Sequence, residues 1–531
     1  MGRTTVSLTL AAMAALALCP TAAFAATGPA AAAAAAGPAT QPAPSVRLAT
    51  PGYVPPSPLD ASPLSWRAAF DALYEKMERE YAFTKWRGID FPGLYAEYLP
   101  RVLRAQQAGD EIAYYVTLRQ FSHEFRDGHV SVKAKDAEGQ ALMASAQEEL
   151  AGGGFGLIAT TLDNGRTVAA WVKAGGPADQ ADIKTGAELV SWGDRPVAAA
   201  LARTSTALSP NMATDWRLAY ERTRFLVRAP VGAVRAVSFR NPGASSLRTG
   251  RLTAVDDGLE TLTMTNAGSV FSWGTLPDST VESKIMDGDV GYVRLYCEVD
   301  TYEEVPGDTP GTLEQFRAAI QSFRDAGAQG VIVDLRSNGG GSDQMASRIL
   351  GSLYEHKAFY EYADLYNPLT GTFQIWVGDD ATGQFGDPGQ GIWIEPATPQ
   401  YTGPLVLLVN NGCISSGEGV AKGIKRVPGV RVVGFSGTNG SFGAAGDQVF
   451  MPGGIEIDFP FGRTLDEHHV VQIDARHGKG GVTPTDRIPM TLRNAVRHWK
   501  GDDVELAYGL QILSSMNWAS RRYLTAPARS R

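Results

Sequence analysis

The apolar run Pro404 to Val409 stops at Asn410-Asn411-Gly412-Cys413-Ile414-Ser415-Ser416-Gly417-Glu418, and a helix-like stretch follows at once. An apolar run this short, bounded by turn residues, reads as a buried strand. The chain therefore passes from the end of a sheet into a helix through a sharp turn that carries two hydroxyl side chains. Such a turn projects one side chain off the sheet, while the next backbone N–H groups and the positive end of the helix face the same place. Ser415 is thus a candidate nucleophile. It is equally a candidate helix N-cap, because a serine ahead of Ser-Gly-Glu-Gly can satisfy orphan N–H groups without doing chemistry.

A second apolar run, Gly330 to Arg336, ends in Ser337-Asn338-Gly339-Gly340-Gly341. The glycines allow a tight turn, or a close backbone approach that aims N–H donors at a carbonyl oxygen. A phosphate loop is disfavoured, since no Gly-Lys-Ser/Thr follows and there is no second Gly at dinucleotide spacing followed by an acidic residue. Around both turns, strand-like Val290–Leu295, helix-like Leu313–Ala326, a helix from Gln344 and strand-like Val430–Gly434 alternate. That alternation predicts right-handed β-α-β units around one sheet, with ligands at the carboxyl ends of its strands.

Upstream, Met1 to Ala26 has Arg3, an apolar stretch Val6–Leu18 and a small-x-small end at Ala23-Phe24-Ala25. This predicts a secretory signal peptide, too short in its apolar part for a span of ~20 residues. The mature chain is then exported, periplasmic or secreted, with no integral membrane segment. Residues 27–62, rich in Ala, Pro, Gly, Thr and Ser, read as a linker. Three helical patterns, Trp66–Tyr81, Phe91–Leu103 and about Glu111–Phe125, make an N-terminal helical domain at 63–135 that ends in Arg126-Asp127-Gly128-His129-Val130. The net charge of −8 with interspersed signs argues against a nucleic-acid partner. Cys297 and Cys413 could pair after export or stay as buried thiols, and no metal-ligand spacing or cofactor motif is present.

Residues 146–260 are Gly-rich and β-branched. Gly153-Gly154-Phe155-Gly156-Leu157 before one strand, and Gly175-Gly176-Pro177-Ala178 to Gly186 before another, resemble a PDZ domain. That family binds extended peptide ends by strand addition; the other reading is a small β domain that spaces its neighbours.

Taken together, Val331-Ile332-Val333-Asp334-Leu335-Arg336-Ser337-Asn338-Gly339-Gly340-Gly341, Val406 to Glu418 and Val432-Val433-Gly434 resemble the C-terminal processing peptidases, or tail-specific proteases, and their tricorn-like relatives over about residues 64–495. The resemblance implies a crotonase/ClpP-like β-α-β catalytic core at 268–500, with an N-terminal helical domain, an inserted PDZ-like β domain and a C-terminal helix and tail at 501–531. It makes Ser415 the nucleophile of an exported serine endopeptidase, the Ser416 N–H with the Gly339 or Gly340 N–H the oxyanion hole, and Glu418 structural. The tail-specific branch uses a lysine about 25 residues after the serine, but here that stretch is Gly440-Ser441-Phe442-Gly443-Ala444. The tricorn-like branch uses a histidine in an Asp-Gly-His motif, which falls on His129 here, with His123 as a decoy. Its orienting carboxylate falls nearest Asp474, with Arg476 or His477 as the other occupants of the aligned position, and the serine preceding the family histidine is Gly128. Two further readings stand beside the peptidase: an inactive ligand- or peptide-binding homologue, and an acyl hydrolase on the same fold.

Overall fold

The computed structural model describes residues 53–266, 279–299, 311–376, 389–476, 478 and 480–516. The signal peptide, most of the linker and the C-terminal tail lie outside the described residues.

Six strands form the sheet that carries the glycine and serine turns. They lie side by side in chain order: Val281–Met286, Val290–Leu295, Gly330–Asp334, Leu405–Leu408, Arg431–Gly434 and Asp486–Arg487. The first pair is antiparallel and the rest are parallel. Alternate residues of the central strands serve opposite faces, as the two-residue strand period requires. Val331, Val333 and Leu407 pack under the helices Thr312–Asp325, Asp343–Leu350 and Ser416–Lys425. Ile332, Val406 and Leu408 pack against the helix Val504–Ser515 on the other side. Because Gly330–Asp334 and Leu405–Leu408 are neighbours in register, with Val331 opposite Leu405, the loops that follow them emerge side by side.

Helices Trp66–Glu80, Phe91–Ala108 and Glu111–His123 start at capping Ser65, Asp90 and Asp110, each accepting a first-turn N–H. They bury Phe70, Leu73, Met77, Tyr98 and Phe121, together with Ile455, Ile457 and Phe459 from far along the chain. The reason is a second sheet, ordered Leu59–Asp60, Ala445–Met451, Ile455–Pro460, Ser131–Ala134. Ser131–Ala134 pairs antiparallel with Ile455–Pro460, Val132 opposite Ile457. This pairing ties the segment just after His129 to the strands just after Gly440–Ala444. The predicted linker to residue 62 therefore ends early: Leu59 and Asp60 pair with Val449 and Phe450, and Tyr53 is buried near Leu365 and Trp376.

A third sheet holds strands in the order Arg248–Thr253, Val234–Arg240, Glu188–Trp192, Thr167–Val172, Leu157–Thr161, all antiparallel. The two longest helices of residues 136–266 do not follow from the sequence pattern. Ala137–Ala151 follows the histidine-side strand, and Asp215–Leu226, capped by Thr214, lies within the β-rich region. Both carry scattered rather than strongly striped apolar residues. Among the described residues no helix is long and apolar enough to cross a membrane.

Candidate active site

Ser415 stands at the junction of the strand end and the helix Ser416–Lys425 with φ 61° and ψ −136°. A non-glycine residue there bears roughly 1–3 kcal/mol of backbone strain, which persists only where the surroundings enforce it. Its N–H donates to the Ser441 carbonyl at 3.0 Å, and its carbonyl accepts from the Glu418 N–H at 2.8 Å. Its side chain makes no capping bond. The N-cap explanation of Ser415 thus has no hydrogen bond behind it, and the hydroxyl is left unengaged among the described residues.

The glycine loop presses against this serine. Gly340 has φ 82°, and a Cβ there would fall inside van der Waals contact of Ser415 Cβ and 3.0 Å from Ser415 Oγ. Only glycine permits both the dihedral and the approach. Asn338 laces the two turns together: its carbonyl accepts the Ile414 N–H at 3.0 Å, and its Oδ1 lies where a Gly417 side chain would be.

The donors expected of an oxyanion hole are distributed differently from the expectation. The Gly339 N–H donates to the Tyr296 carbonyl at 3.0 Å, and the Gly340 N–H to Asn338 Oδ1 at 2.8 Å. Neither is available in this conformation, because the loop spends both on its own geometry. The Ser416 N–H, at the first turn of its helix, has no acceptor among the described residues, as expected of a helix N-terminus; the Gly341 N–H has none either. Ser416 Oγ donates to the Gly341 carbonyl at 2.7 Å, holding those two residues together.

His129 reaches the serine turn through its neighbours. The Gly128 N–H donates to Ser441 Oγ at 2.7 Å, and a Gly128 side chain would fall 2.9 Å from Ile414 Cδ1 and 3.0 Å from Ser441 Oγ. Ser441 thus holds the Ser415 backbone through its carbonyl and the Gly128 backbone through its hydroxyl. Glu418, fully buried, fixes that turn, accepting from the Gly440 N–H at 2.8 Å, the Ser441 N–H at 2.7 Å and Thr438 Oγ1. Burial pushes the Glu418 carboxyl up to about 7 although these bonds pull it down. The stretch without the expected lysine is therefore a clamp between the two halves of the site. Its role had one sequence signal, a serine among glycines where the lysine was sought.

Both ring nitrogens of His129 are buried without a hydrogen-bond partner, so no hydrogen bond joins His129 to Ser415 here. Burial holds the imidazole below its ordinary pKa, with Asp127 opposing; the ring is neutral at pH 7 and able to accept a proton. Asp127 accepts the His129 backbone N–H at 3.0 Å and the Tyr81 hydroxyl at 2.9 Å, and its Oδ1 lies 3.9 Å from His129 Nδ1. Asp474 does not supply the orienting carboxylate in this structure. It is exposed and binds Arg476 through Nε at 3.0 Å and Nη2 at 2.6 Å, since a guanidinium two residues away in a turn captures it. His477 lies outside the described residues. His123 is structural: Nε2 sits 3.2 Å from the Ser209 carbonyl, and burial drives its pKa down to about 3.

Arg217 was not anticipated. Fully buried at the start of the helix Asp215–Leu226, it donates to Asn411 Oδ1 at 3.3 Å and pairs with Glu221 at 2.8 Å. It connects the β-rich unit to the serine turn. Cys297 and Cys413 are buried and not joined by a disulfide. Among the described residues no group of three His, Cys, Asp or Glu could hold a metal ion.

A mixed α/β protein with a strained serine at a strand-to-helix turn, flanked by a glycine loop and a buried neutral histidine, has the parts of a serine hydrolase. Residues 289–487 match "Peptidase family S41" and residues 62–110 the "Tricorn protease C1 domain". Residues 289–487 are thus similar to the peptidase family S41 domain, and the chain is a serine-type peptidase. No curated protein matches it. Among solved structures, mature CPAF complexed with lactacystin aligns at 16% identity and TM-score 0.56, covering 85% of this chain and 97% of that one. Mature CPAF alone aligns at 16% identity and TM-score 0.57, covering 85% and 96%. At such identity the likeness concerns the fold.

Proposed function

We propose that the chain is an exported serine endopeptidase in which Ser415 attacks the peptide carbonyl and His129 takes its proton and returns it to the leaving amine. The Ser416 N–H, with a donor of the glycine loop, stabilises the tetrahedral oxyanion; Gly341 has the N–H left unengaged in this conformation. The observation that carries the reading is the backbone of Ser415, held at φ 61° and ψ −136° with no capping bond to justify it. In the absence of substrate, catalytic hydrogen bonds are often long and close only in the complex, so the unbonded pair is compatible with this chemistry. Ser415→Ala should abolish cleavage of an unfolded protein while leaving thermal unfolding unchanged; undiminished cleavage would overturn the assignment.

The 146–260 unit acts in this reading as a PDZ-like module inserted before a crotonase/ClpP-like core. In support, a cavity of about 510 Å³ opens at the Gly175-Gly176 turn beside Gly156, Lys173, Arg251, Asp256 and Asp257, with room for an extended peptide end. Export rests on the predicted signal at residues 1–26. The competing reading, a binding homologue without chemistry, is favoured by one observation: among the described residues, His129 has no carboxylate within hydrogen-bond reach of its ring. A serine-reactive fluorophosphonate separates the two, since labelling that Ser415→Ala removes requires a working nucleophile.

A further inference from the structure

We propose that Glu298 is a positioning residue for the oxyanion loop, holding residues 338–342 against Ser415 from a fully buried site. It rests on the reading of Ser415 as nucleophile. Glu298 follows the strand Val290–Leu295 and is 0% exposed. It grips the loop at three points. Its backbone N–H donates to the Gly340 carbonyl at 3.0 Å, and its carbonyl accepts the Ser342 N–H at 2.8 Å. Its Oε1 accepts Asn338 Nδ2 at 2.8 Å. The amide orientation of Asn338 is fixed by chemistry, because Nδ2 also faces the Leu295 carbonyl at 3.0 Å, which can only accept. Asn338 Oδ1 is thereby turned toward Gly340 and holds its N–H. The side chain that decides which loop donors are engaged is thus itself oriented by Glu298.

The remaining oxygen, Glu298 Oε2, is buried with no partner among the described residues. Leaving a buried polar atom unpaired costs about 1–3 kcal/mol, more if it is charged, and a side chain kept merely to fill space would be apolar. Among the described residues, the ionisable groups facing it are Asp343 at the start of the next helix, Tyr360 on the strand Ala358–Asn367 and Cys413 in the serine turn. Asp343 is a like charge, and none of the three is a cation. Burial first, then Asp343, pushes the Glu298 carboxyl up to about 8 against the pull of Asn338. The sign follows: a carboxyl raised in the closed loop and ordinary when hydrated favours closure most at low pH, and that advantage is lost as pH rises through about 8. Loop order should fall over the same range in which a neutral His129 is fully available.

The test compares the rate of fluorophosphonate labelling of wild type, Glu298→Gln and Glu298→Ala from pH 6 to 9. Glutamine keeps an acceptor for Asn338 and cannot ionise. The ratio of Glu298→Gln to wild-type rate should rise by up to about a hundredfold across this range, tenfold per pH unit of single-proton linkage up to about pH 8 and level above it, with Glu298→Ala slow throughout. A constant ratio, with wild type labelled at Ser415, would overturn the role of Glu298 alone. Absence of Ser415-dependent labelling in wild type would instead overturn the reading on which it rests. As a check independent of any variant's folding, amide exchange of wild-type residues 337–343, corrected for intrinsic rate, should accelerate from pH 6 to 8.5; unchanged protection would contradict the proposal.

Discussion

The serine half and the histidine half of the site are held by different means. Ser415 and the glycine loop follow two adjacent parallel strands, and their juxtaposition is set as soon as Val331 pairs with Leu405. His129 arrives from more than 280 residues upstream, through the pairing of Ser131–Ala134 with Ile455–Pro460 and the bond from Gly128 to Ser441. One half is fixed by strand register inside a single sheet, the other by a sheet that closes across most of the chain. Loop-closure entropy makes the second arrangement the more easily lost. It also makes Ser441, with Glu418 behind it, the point where the two halves meet.

The largest expected effect comes from removing the proposed base outright. His129→Ala should lower the turnover of a peptide substrate by about 10²–10⁴-fold without changing the fold, as read by circular dichroism; wild-type turnover would transfer the proton to another group. Gly128→Ala comes next. Its methyl would overlap Asn439 Oδ1 and crowd Ile414, so activity should fall by at least about tenfold at a stability cost of ~1–3 kcal/mol. An unaffected Gly128→Ala would mean the two halves are less closely joined than Ser441 implies. Ile457→Ala, at a fully buried position of the histidine-side sheet, should cost about 2–5 kcal/mol in unfolding free energy and slow Ser415 labelling severalfold at 25 °C. A destabilised variant that labels at the wild-type rate would show that this sheet is not what holds His129.

How much of this could be read from residues alone follows the same division. The strand ends, both turns and Ser415 were legible because they depend on local pattern: an apolar run, then small residues. His129 was legible only through a family motif, since no periodicity in residues 111–130 says which distant strand will receive them. The free donors were not legible. Gly339 and Gly340 were expected to point at an oxyanion, but their N–H groups turn to Tyr296 and Asn338, a choice made by side-chain orientation. Asp474 was expected beside the histidine and is captured by Arg476 instead. The helix Asp215–Leu226 was hidden because its buried faces carry Arg217, Glu221 and Arg224, which pair with each other and read as a solvated helix.

Two smaller effects sharpen the histidine half. Because burial holds His129 below its ordinary pKa, the acid limb of the pH–rate profile should have its midpoint below ~6.5; a midpoint above that would place a raising charge next to the ring in the working enzyme. Asp474→Asn, at an exposed and already paired carboxylate, should change turnover by less than about twofold, as surface ion pairs contribute little. A loss of a hundredfold would restore Asp474 as the orienting group and require a rearrangement of residues 472–476 on substrate binding.

The most direct measurement is fluorophosphonate labelling at pH 7 followed by peptide mapping, in wild type and in His129→Ala. The modification is expected on Ser415, within the peptide spanning Asn410 to Lys422, with labelling of His129→Ala slowed by about a hundredfold or more. A label on another residue, or on Ser415 at the same rate with and without His129, would contradict the pairing of the two halves into one catalytic site.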